Sequence, residues 1–306
     1  MKKLPLALAL IVSFCTFAFG QRAASPLSFV PARSVAVLSV DWKRVRRDED
    51  LKRIVKGDDM ANLLDQIGAG ESKVTEFAIF SDLDPTASNK LGIIVNGNFS
   101  SQAITRNLET RGWKTKKIGS RTAYINPTDG SYLMILQSGS FVAGTKAAVE
   151  QTIGAFTRPR NALVRRSAFR SIMSMLGTAA PVRFFIGVPE EYKEVADFAF
   201  KIANKLMSFG GLGLMGMVFD KIGLIQSMGF SMDSGRDAFP VQLIAAMPGK
   251  TGAAVASGGL NLLKKAAWTL GEKSPETIAM SSMVVGSTGN LLSIKFDMPR
   301  SAMPSR

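Results

Sequence analysis

The stretch LGIIVNGNFSSQAITRNLETRGW, Leu91 to Trp113, decides the predicted fold of this chain. Its apolar run predicts a β-strand, its Gly/Asn/Ser residues predict a turn, and its spaced apolar residues predict a helix. Ser100 or Ser101 can cap the start of that helix, and Gly112 offers its end. A second stretch, VQLIAAMPGKTGAAVASGGLNLLKKAAW, runs from Val241 to Trp268. Because both pass from strand to polar turn to helix to tryptophan, we predict two halves with the same element order.

The segments around each stretch extend this order in both directions. Alternating or apolar runs predict strands, and residues spaced at helical intervals predict helices, in the order βαββαβ in residues 34–157 and again in 181–298. That order is typical of the ferredoxin-like fold, in which helices pack on one face of an antiparallel sheet. We therefore predict an α+β fold of two ferredoxin-like (βαββαβ-type) halves with antiparallel sheets, joined by an Arg-rich helical linker. The predicted boundaries are a signal peptide at 1–20, an N-terminal tail at 21–33, the linker at 158–180 and a disordered tail at 299–306.

The first twenty residues predict export. Lys2 and Lys3 precede an apolar run from Leu4 to Phe19, and an Ala-Phe-Gly sequence ending at Gly20 is typical of a signal-peptide cleavage site. The apolar run is short for a transmembrane helix, and no later stretch is long and apolar enough to be one. We expect cleavage after Gly20, a periplasmic or extracellular location, and no transmembrane helix in the mature chain.

The residue content of the mature chain excludes the most common catalytic mechanisms. The sequence has no His, and its one Cys, Cys15, lies within the signal peptide. Because Phe14 is bulky where lipidation sites have a small residue, we do not interpret Cys15 as a lipid attachment site. Disulfides, thiol nucleophiles, Cys- or His-bound metals and Ser-His-Asp triads are therefore excluded. We predict no cofactor.

Carboxylates remain the candidates for an enzymatic alternative. A hydrolase acting on an anionic envelope polymer through carboxylates and a bound divalent ion would draw on the acids that follow predicted strands. No spacing in the sequence brings a particular pair together. The candidates are Asp41, Asp82, Asp84, Asp233 and Asp237.

The predicted linker is the strongest charge feature in the sequence. Residues 151–189 contain six Arg and no Lys, Asp or Glu. A helix predicted from Ala162 to Leu176 has one broad apolar face, and its basic residues Arg165, Arg166 and Arg170 are candidate contacts with an anion or a membrane. Such a helix can lie on an anionic membrane surface, or it can bury its apolar face between two domains. The sequence pattern is compatible with both interpretations.

The Met- and Gly-rich stretch from Leu206 to Asp220 also has two interpretations. It could form an adaptable surface for a lipid, a peptide or a partner protein, because Met side chains conform to irregular shapes. Alternatively, it could be a buried connection in which Gly residues permit close packing.

The strand that ends in Asp41-Trp42, the signal peptide and the two-half layout resemble an uncharacterised family of exported bacterial proteins, to which no function is attached. Loss of Lys2 and Lys3 on cleavage changes the formal charge from +14 to +12, which favours anionic partners. We expect a non-enzymatic exported binding or structural protein that contacts an anionic or apolar surface. The expected partners are anionic lipid, glycan or an envelope protein, without specific nucleic-acid binding.

Overall fold

The computed structural model describes residues 24–55, 58–82, 90–187, 226–269, 279 and 281–302. The predicted signal peptide, the stretch from Leu206 to Asp220 and the candidate acid Asp84 lie outside the described residues.

Twelve strands of the described chain form one sheet, and every pairing in it is antiparallel. The sheet order is β11-β12-β10-β9-β8-β1-β2-β3-β7-β6-β5-β4. The predicted α+β class with antiparallel pairing is therefore confirmed. The strands are β1 Ala36–Val40, β2 Val74–Asp82, β3 Lys90–Gly97, β4 Lys114–Ile118, β5 Arg121–Ile125, β6 Tyr132–Gln137, β7 Ser140–Gly144, β8 Val182–Gly187, β9 Ser227–Met232, β10 Ala238–Ala246, β11 Val284–Thr288 and β12 Leu291–Pro299.

The sequence predicts a separate sheet for each half, but the two halves share one sheet. Strand β1 pairs with β2 on one side and with β8 on the other, so β1–β7 and β8–β12 form the two sides of a single sheet. A ferredoxin-like half inserts another strand between its first two strands. Here β1 pairs directly with β2, and β8 pairs directly with β9. The ferredoxin-like pairing is therefore not observed on either side of the β1–β8 seam.

The described helices cover both faces of the sheet. Because side chains alternate along each strand, its residues contribute to two separate apolar cores. Helices α1 to α4 and α7 contribute to the first core, and α5 and α6 contribute to the second. We call the second side the α5–α6 face. The helices are α1 Trp42–Val45, α2 Glu49–Val55, α3 Asp58–Gln66, α4 Ser101–Thr110, α5 Lys146–Thr157, α6 Ser167–Leu176 and α7 Lys250–Thr269.

The Leu91 to Trp113 unit forms as predicted. The Ser100 side chain accepts a hydrogen bond from the Ala103 N–H at 3.3 Å, which caps the start of α4. After α4, Gly112 has φ of +75°, a conformation that Gly adopts without the steric cost that a side chain would bring. Trp113 then enters the core with 7% of its surface exposed. The second unit also forms, with β10 followed by the continuous helix α7.

Two further segments differ from the prediction. The apolar pattern of residues 116–127 predicts one strand, but residues 114–125 form the hairpin β4–β5, which turns at Gly119 with φ of +59°. The predicted N-terminal tail packs into the fold from Ala24 onward. Its turn Pro26–Phe29 buries apolar side chains in the core of the α5–α6 face, so the second core depends on residues that have no strand or helix pattern of their own.

Candidate functional site: the α5–α6 face

Three buried side chains on one stripe of helix α6 pack against the sheet and hold the helix in position. Phe169, Ile172 and Leu176 are buried, and the Phe169 ring meets Phe185 of β8 edge-on at 5.0 Å. On β9, a Cβ built on Gly229 would lie 2.2 Å from Cγ2 of Ile172. The absence of a side chain at Gly229 therefore lets α6 approach the sheet closely.

The packing of α6 matches neither interpretation of its apolar face, because the helix lies on strands of the β8–β12 side and not between two domains. The helix contacts β8, β9 and β10, and its buried stripe belongs to the core of the α5–α6 face. The apolar stripe therefore packs against the sheet of its own chain and is not available to a bilayer. What α6 presents outward is its polar side, with Arg170 among the exposed residues.

The helix begins five residues later than predicted. The backbone of Ala162 forms a β-bridge with Pro31, and the Leu163 N–H donates to the Val30 carbonyl at 2.8 Å. These bonds to a distant segment hold residues 163–165 in a 3-10 turn. Arg165 consequently lies on an exposed turn and does not fall within the apolar stripe, where the helical pattern had placed it.

The three predicted contact residues have different environments. Arg165 and Arg170 are exposed. Arg166 is partly buried, and its Nη1 donates to the carbonyls of Ala32 and Ser34, both at 3.2 Å. Burial lowers the pKa of the Arg166 guanidinium. Arg166 therefore fixes the chain that enters β1, and Arg165 and Arg170 remain available to a partner.

Two further exposed arginines lie on the same segment. Arg158 and Arg160 flank Pro159, directly after α5, and both side chains are exposed. They are not among the contact residues that the sequence predicts. The signal that could have identified them is the absence of acidic residues between 151 and 189.

Within the described part of the chain, the exposed arginines have no acidic partner. Within the described residues, no salt bridge or side-chain hydrogen bond involves Arg158, Arg160, Arg165 or Arg170. The acid of α5, Glu150, lies 3.6 Å from Lys146 on its own helix. We call these four residues the arginine surface; its charge is open to an external anion.

Three of the four candidate acids within the described residues make side-chain contacts. Asp41 caps α1 by accepting from the Arg44 N–H at 3.1 Å, and Asp233 accepts from Arg44 Nη2 at 2.9 Å. Asp82 accepts from Gln151 at 3.5 Å, and the backbone carbonyl of Asp237 accepts from the Arg300 N–H at 3.4 Å.

A separate ionic cluster joins the two sides of the β1–β8 seam. Arg300 lies just after β12, and its two terminal nitrogens reach Asp48 and Asp50 at 2.6 Å each. The Asp48 side chain is 9% exposed; it also accepts from Ser234 in the β9–β10 turn and from the Leu51 N–H at the start of α2. Arg300 also lies 4.4 Å from the Phe239 ring centre. The predicted disordered tail is thus ordered to Ala302, and Arg300 anchors it.

The hydrogen bond from Arg300 holds the pKa of Asp48 well below its usual range. An acid whose folded-state pKa is depressed adds stability that is complete above its unfolded pKa, about 4, and is lost as the pH falls below that value. We expect the free energy of unfolding to decrease below about pH 4, and to decrease less steeply in Asp48→Asn. Denaturant unfolding at a series of pH values measures both slopes; equal slopes would contradict the assignment.

No group of three or more acidic, Cys or His residues is placed to hold a metal ion within the described ranges. None of the helices in those ranges combines the length and the apolar content that crossing a membrane requires.

Comparison with known proteins adds information on the fold alone. No protein-family model matches the chain, and no curated protein is significantly similar in sequence. Crystal forms III and IV of TP0453 are similar solved structures, each with a TM-score of 0.50 and with 13% and 14% identity. The match to form III covers 92% of this chain and 97% of the TP0453 chain, and the match to form IV covers 91% and 95%. Crystal form I of the same protein has a TM-score of 0.49, which is too low to support an argument.

Proposed function

We propose that this chain is an exported, non-enzymatic protein that binds an anionic lipid surface through the arginine surface of the α5–α6 face. The observation that carries the proposal is the exposure of Arg158, Arg160, Arg165 and Arg170 on a segment without acids. A guanidinium forms charge-assisted, often bidentate hydrogen bonds with phosphate. A phospholipid head group is therefore a chemically matched partner.

The buried apolar stripe of α6 supports adsorption as the mode of contact. A helix that binds a bilayer by its apolar side must have that side free, whereas Phe169, Ile172 and Leu176 are packed on the sheet. The contact is then electrostatic, and each basic residue near an anionic bilayer contributes about 1 kcal/mol. Such binding weakens as salt screens the charges.

The described contacts do not favour the hydrolase alternative. A carboxylate mechanism needs an acid and a base that face a substrate, and Asp41 and Asp233 are both bonded to Arg44. The depressed pKa of Asp48 makes it a weak base that remains charged. No contact among the described residues favours hydrolysis over binding.

We also propose that β1–β7 and β8–β12 are related halves. The support is positional, because β3 and β10 are each the third strand from the β1–β8 seam on their own side. Each is also followed by a helix, α4 or α7, that contributes to the same core. The direct β1–β2 and β8–β9 pairings keep this proposal separate from the ferredoxin-like arrangement.

Vesicle flotation tests the proposed function. The mature chain, residues 21–306, is mixed with vesicles of phosphatidylcholine alone or of phosphatidylcholine with phosphatidylglycerol. We expect flotation with the anionic vesicles at low salt, little flotation with the neutral ones, and progressive release as salt is raised.

Three results would contradict the lipid proposal. One is failure of the chain to float with anionic vesicles at low salt, and another is equal binding to neutral vesicles. The third is salt-sensitive binding to a soluble anionic polysaccharide such as heparin without binding to anionic vesicles. That result would assign the arginine surface to a glycan.

A further inference from the structure

Strand β4 forms one edge of the sheet and carries three exposed lysines, Lys114, Lys116 and Lys117. Side chains alternate between the two faces along a strand. Ile118 packs against the core of the α5–α6 face, and the residue opposite Lys116 on β5 is Ala123, which is buried in the same core. The side chain of Lys116 therefore lies on the α5–α6 face.

Lys117 lies on the opposite face of the same strand. Its Nζ donates to Oγ1 of Thr122, the residue opposite it on β5, at 2.9 Å. Tyr124, two residues further along β5, is buried in the other core. Lys116 and Lys117 are thus adjacent, exposed residues of one type whose side chains lie on different faces of the sheet.

The β4–β5 turn lies against the end of α5, where the arginine surface begins. Arg121 follows this turn, and its guanidinium carbon is 4.4 Å from the ring centre of Phe156, in the last turn of α5. Its Nη1 also donates to the Leu136 carbonyl of β6 at 2.7 Å. Arg158 comes two residues after Phe156. Arg121 therefore connects the α5–α6 side of β4 with the arginine surface.

The combined basic surface is too wide for a small anion. Among the ion pairs of the described residues, none involves Lys116, Arg121 or Arg158. Helix α5 packs against β6 and β7, so Arg158 and Lys116 are separated by up to three strand spacings, about 14 Å. A single carboxylate or phosphate does not bridge that distance, whereas the head groups of an anionic bilayer present charge across it.

We propose that Lys116 and Arg121 extend the arginine surface to the β4 edge, so that an anionic bilayer contacts the α5–α6 face from Arg158 to the β4–β5 turn. This inference rests on the proposed function, which supplies the bilayer, and it adds the orientation of the sheet on the lipid. Lysine on an edge strand also opposes pairing with another chain. That role alone would make Lys116 and Lys117 equivalent.

Charge reversal at the two adjacent lysines tests the orientation. Lys116→Glu and Lys117→Glu change the net charge equally, and partition onto phosphatidylcholine–phosphatidylglycerol vesicles is measured at about 0.1 M salt, where the screening length is about 10 Å. We expect Lys116→Glu to lower partition by about thirtyfold, because a change of two charges occurs at the lipid surface. We expect Lys117→Glu to lower it by less than about threefold, because the sheet separates this side chain from the lipid. Circular dichroism checks that both variants are folded.

A fluorescent label gives a second measurement that does not alter the basic residues. The chain from Gln21 onward has no Cys, so a single introduced thiol carries the label. Ser120→Cys places an environment-sensitive fluorophore in the β4–β5 turn, and Thr115→Cys places it on the other face of β4, opposite Tyr124. We expect the emission at position 120 to shift with anionic vesicles and the emission at 115 to stay unchanged.

Three outcomes overturn the inference. Equal losses of partition for Lys116→Glu and Lys117→Glu show that the two faces of β4 are equivalent. A label at position 120 that does not respond to vesicles to which the chain binds places the turn away from the lipid. Both results leave the proposed function in place, because the wild-type chain still binds the anionic vesicles. Failure of the wild-type chain to bind them overturns the proposed function and this inference together.

Discussion

Neutralising Arg158, Arg160, Arg165 and Arg170 together to Gln lowers binding to anionic vesicles by about a thousandfold, if each contributes about 1 kcal/mol. The effect should be close to additive, because the four side chains are exposed and share no described internal partner. Partition between vesicle and solution, measured at low salt over a series of lipid concentrations, gives the ratio directly.

A matched control separates the arginine surface from net charge. Lys43, Arg47, Arg106 and Lys265 are exposed and lie on or next to helices of the other face. Changing all four to Gln removes the same charge, and we expect a much smaller loss of binding. If both variants lose affinity equally, the interaction depends on overall charge, and the α5–α6 face has no special role.

Replacing Arg300 by Ala has the largest effect on stability that we expect, about 3 kcal/mol of the free energy of unfolding. The substitution leaves Asp48, which is 9% exposed, without its cation. It also removes the contact with Phe239 and the hydrogen bonds from Arg300 to the Gly235 carbonyl. Removing one partner of a largely buried ion pair costs more than the pair contributes, because the other charge stays desolvated.

Arg53 supplies the comparison for Arg300→Ala. Its guanidinium lies 3.4 Å from Asp50 on the same helix, and its side chain is 54% exposed. We expect Arg53→Ala to cost no more than about 0.5 kcal/mol, as exposed pairs do. Arg300→Lys should recover part of the loss, since it keeps the charge without the two-nitrogen geometry. Denaturant unfolding of the three variants measures these free energies. Similar losses of stability for Arg300→Ala and Arg53→Ala would show that the ionic cluster around Arg300 does not stabilise the fold more than an exposed ion pair does.

Local patterns predicted the local structure well. The apolar run before Ser100 became β3, Ser100 capped α4, and Gly112 ended that helix. Such features depend on side-chain period, capping chemistry and the conformational freedom of Gly, all of which act within a few residues. The buried stripe of α6 was also predicted, because its 3.6-residue period is visible in the sequence.

Long-range pairing could not be predicted in the same way. Nothing in the period of Val37 or Phe185 indicates that the two residues face each other across the seam. The start of α6 depends on bonds from Ala162 and Leu163 to residues 30–31. Arg166 lies in the basic run with Arg165 and Arg170, but carbonyls of Ala32 and Ser34 bind its guanidinium. The sequence therefore indicated the charge of the site and not which arginines are free.

The β1–β8 seam has a consequence for the order of folding. Strands β1–β7 are complete in the chain before residue 182, and their sheet then ends at β1 with apolar residues such as Val37 and Val40. Closing this edge requires β8, and Val37 pairs with Phe185 far along the chain. Contacts of such separation form late, because loop closure has an entropic cost. Until then β1 is an aggregation-prone edge, so premature termination before β8 would leave this strand uncovered.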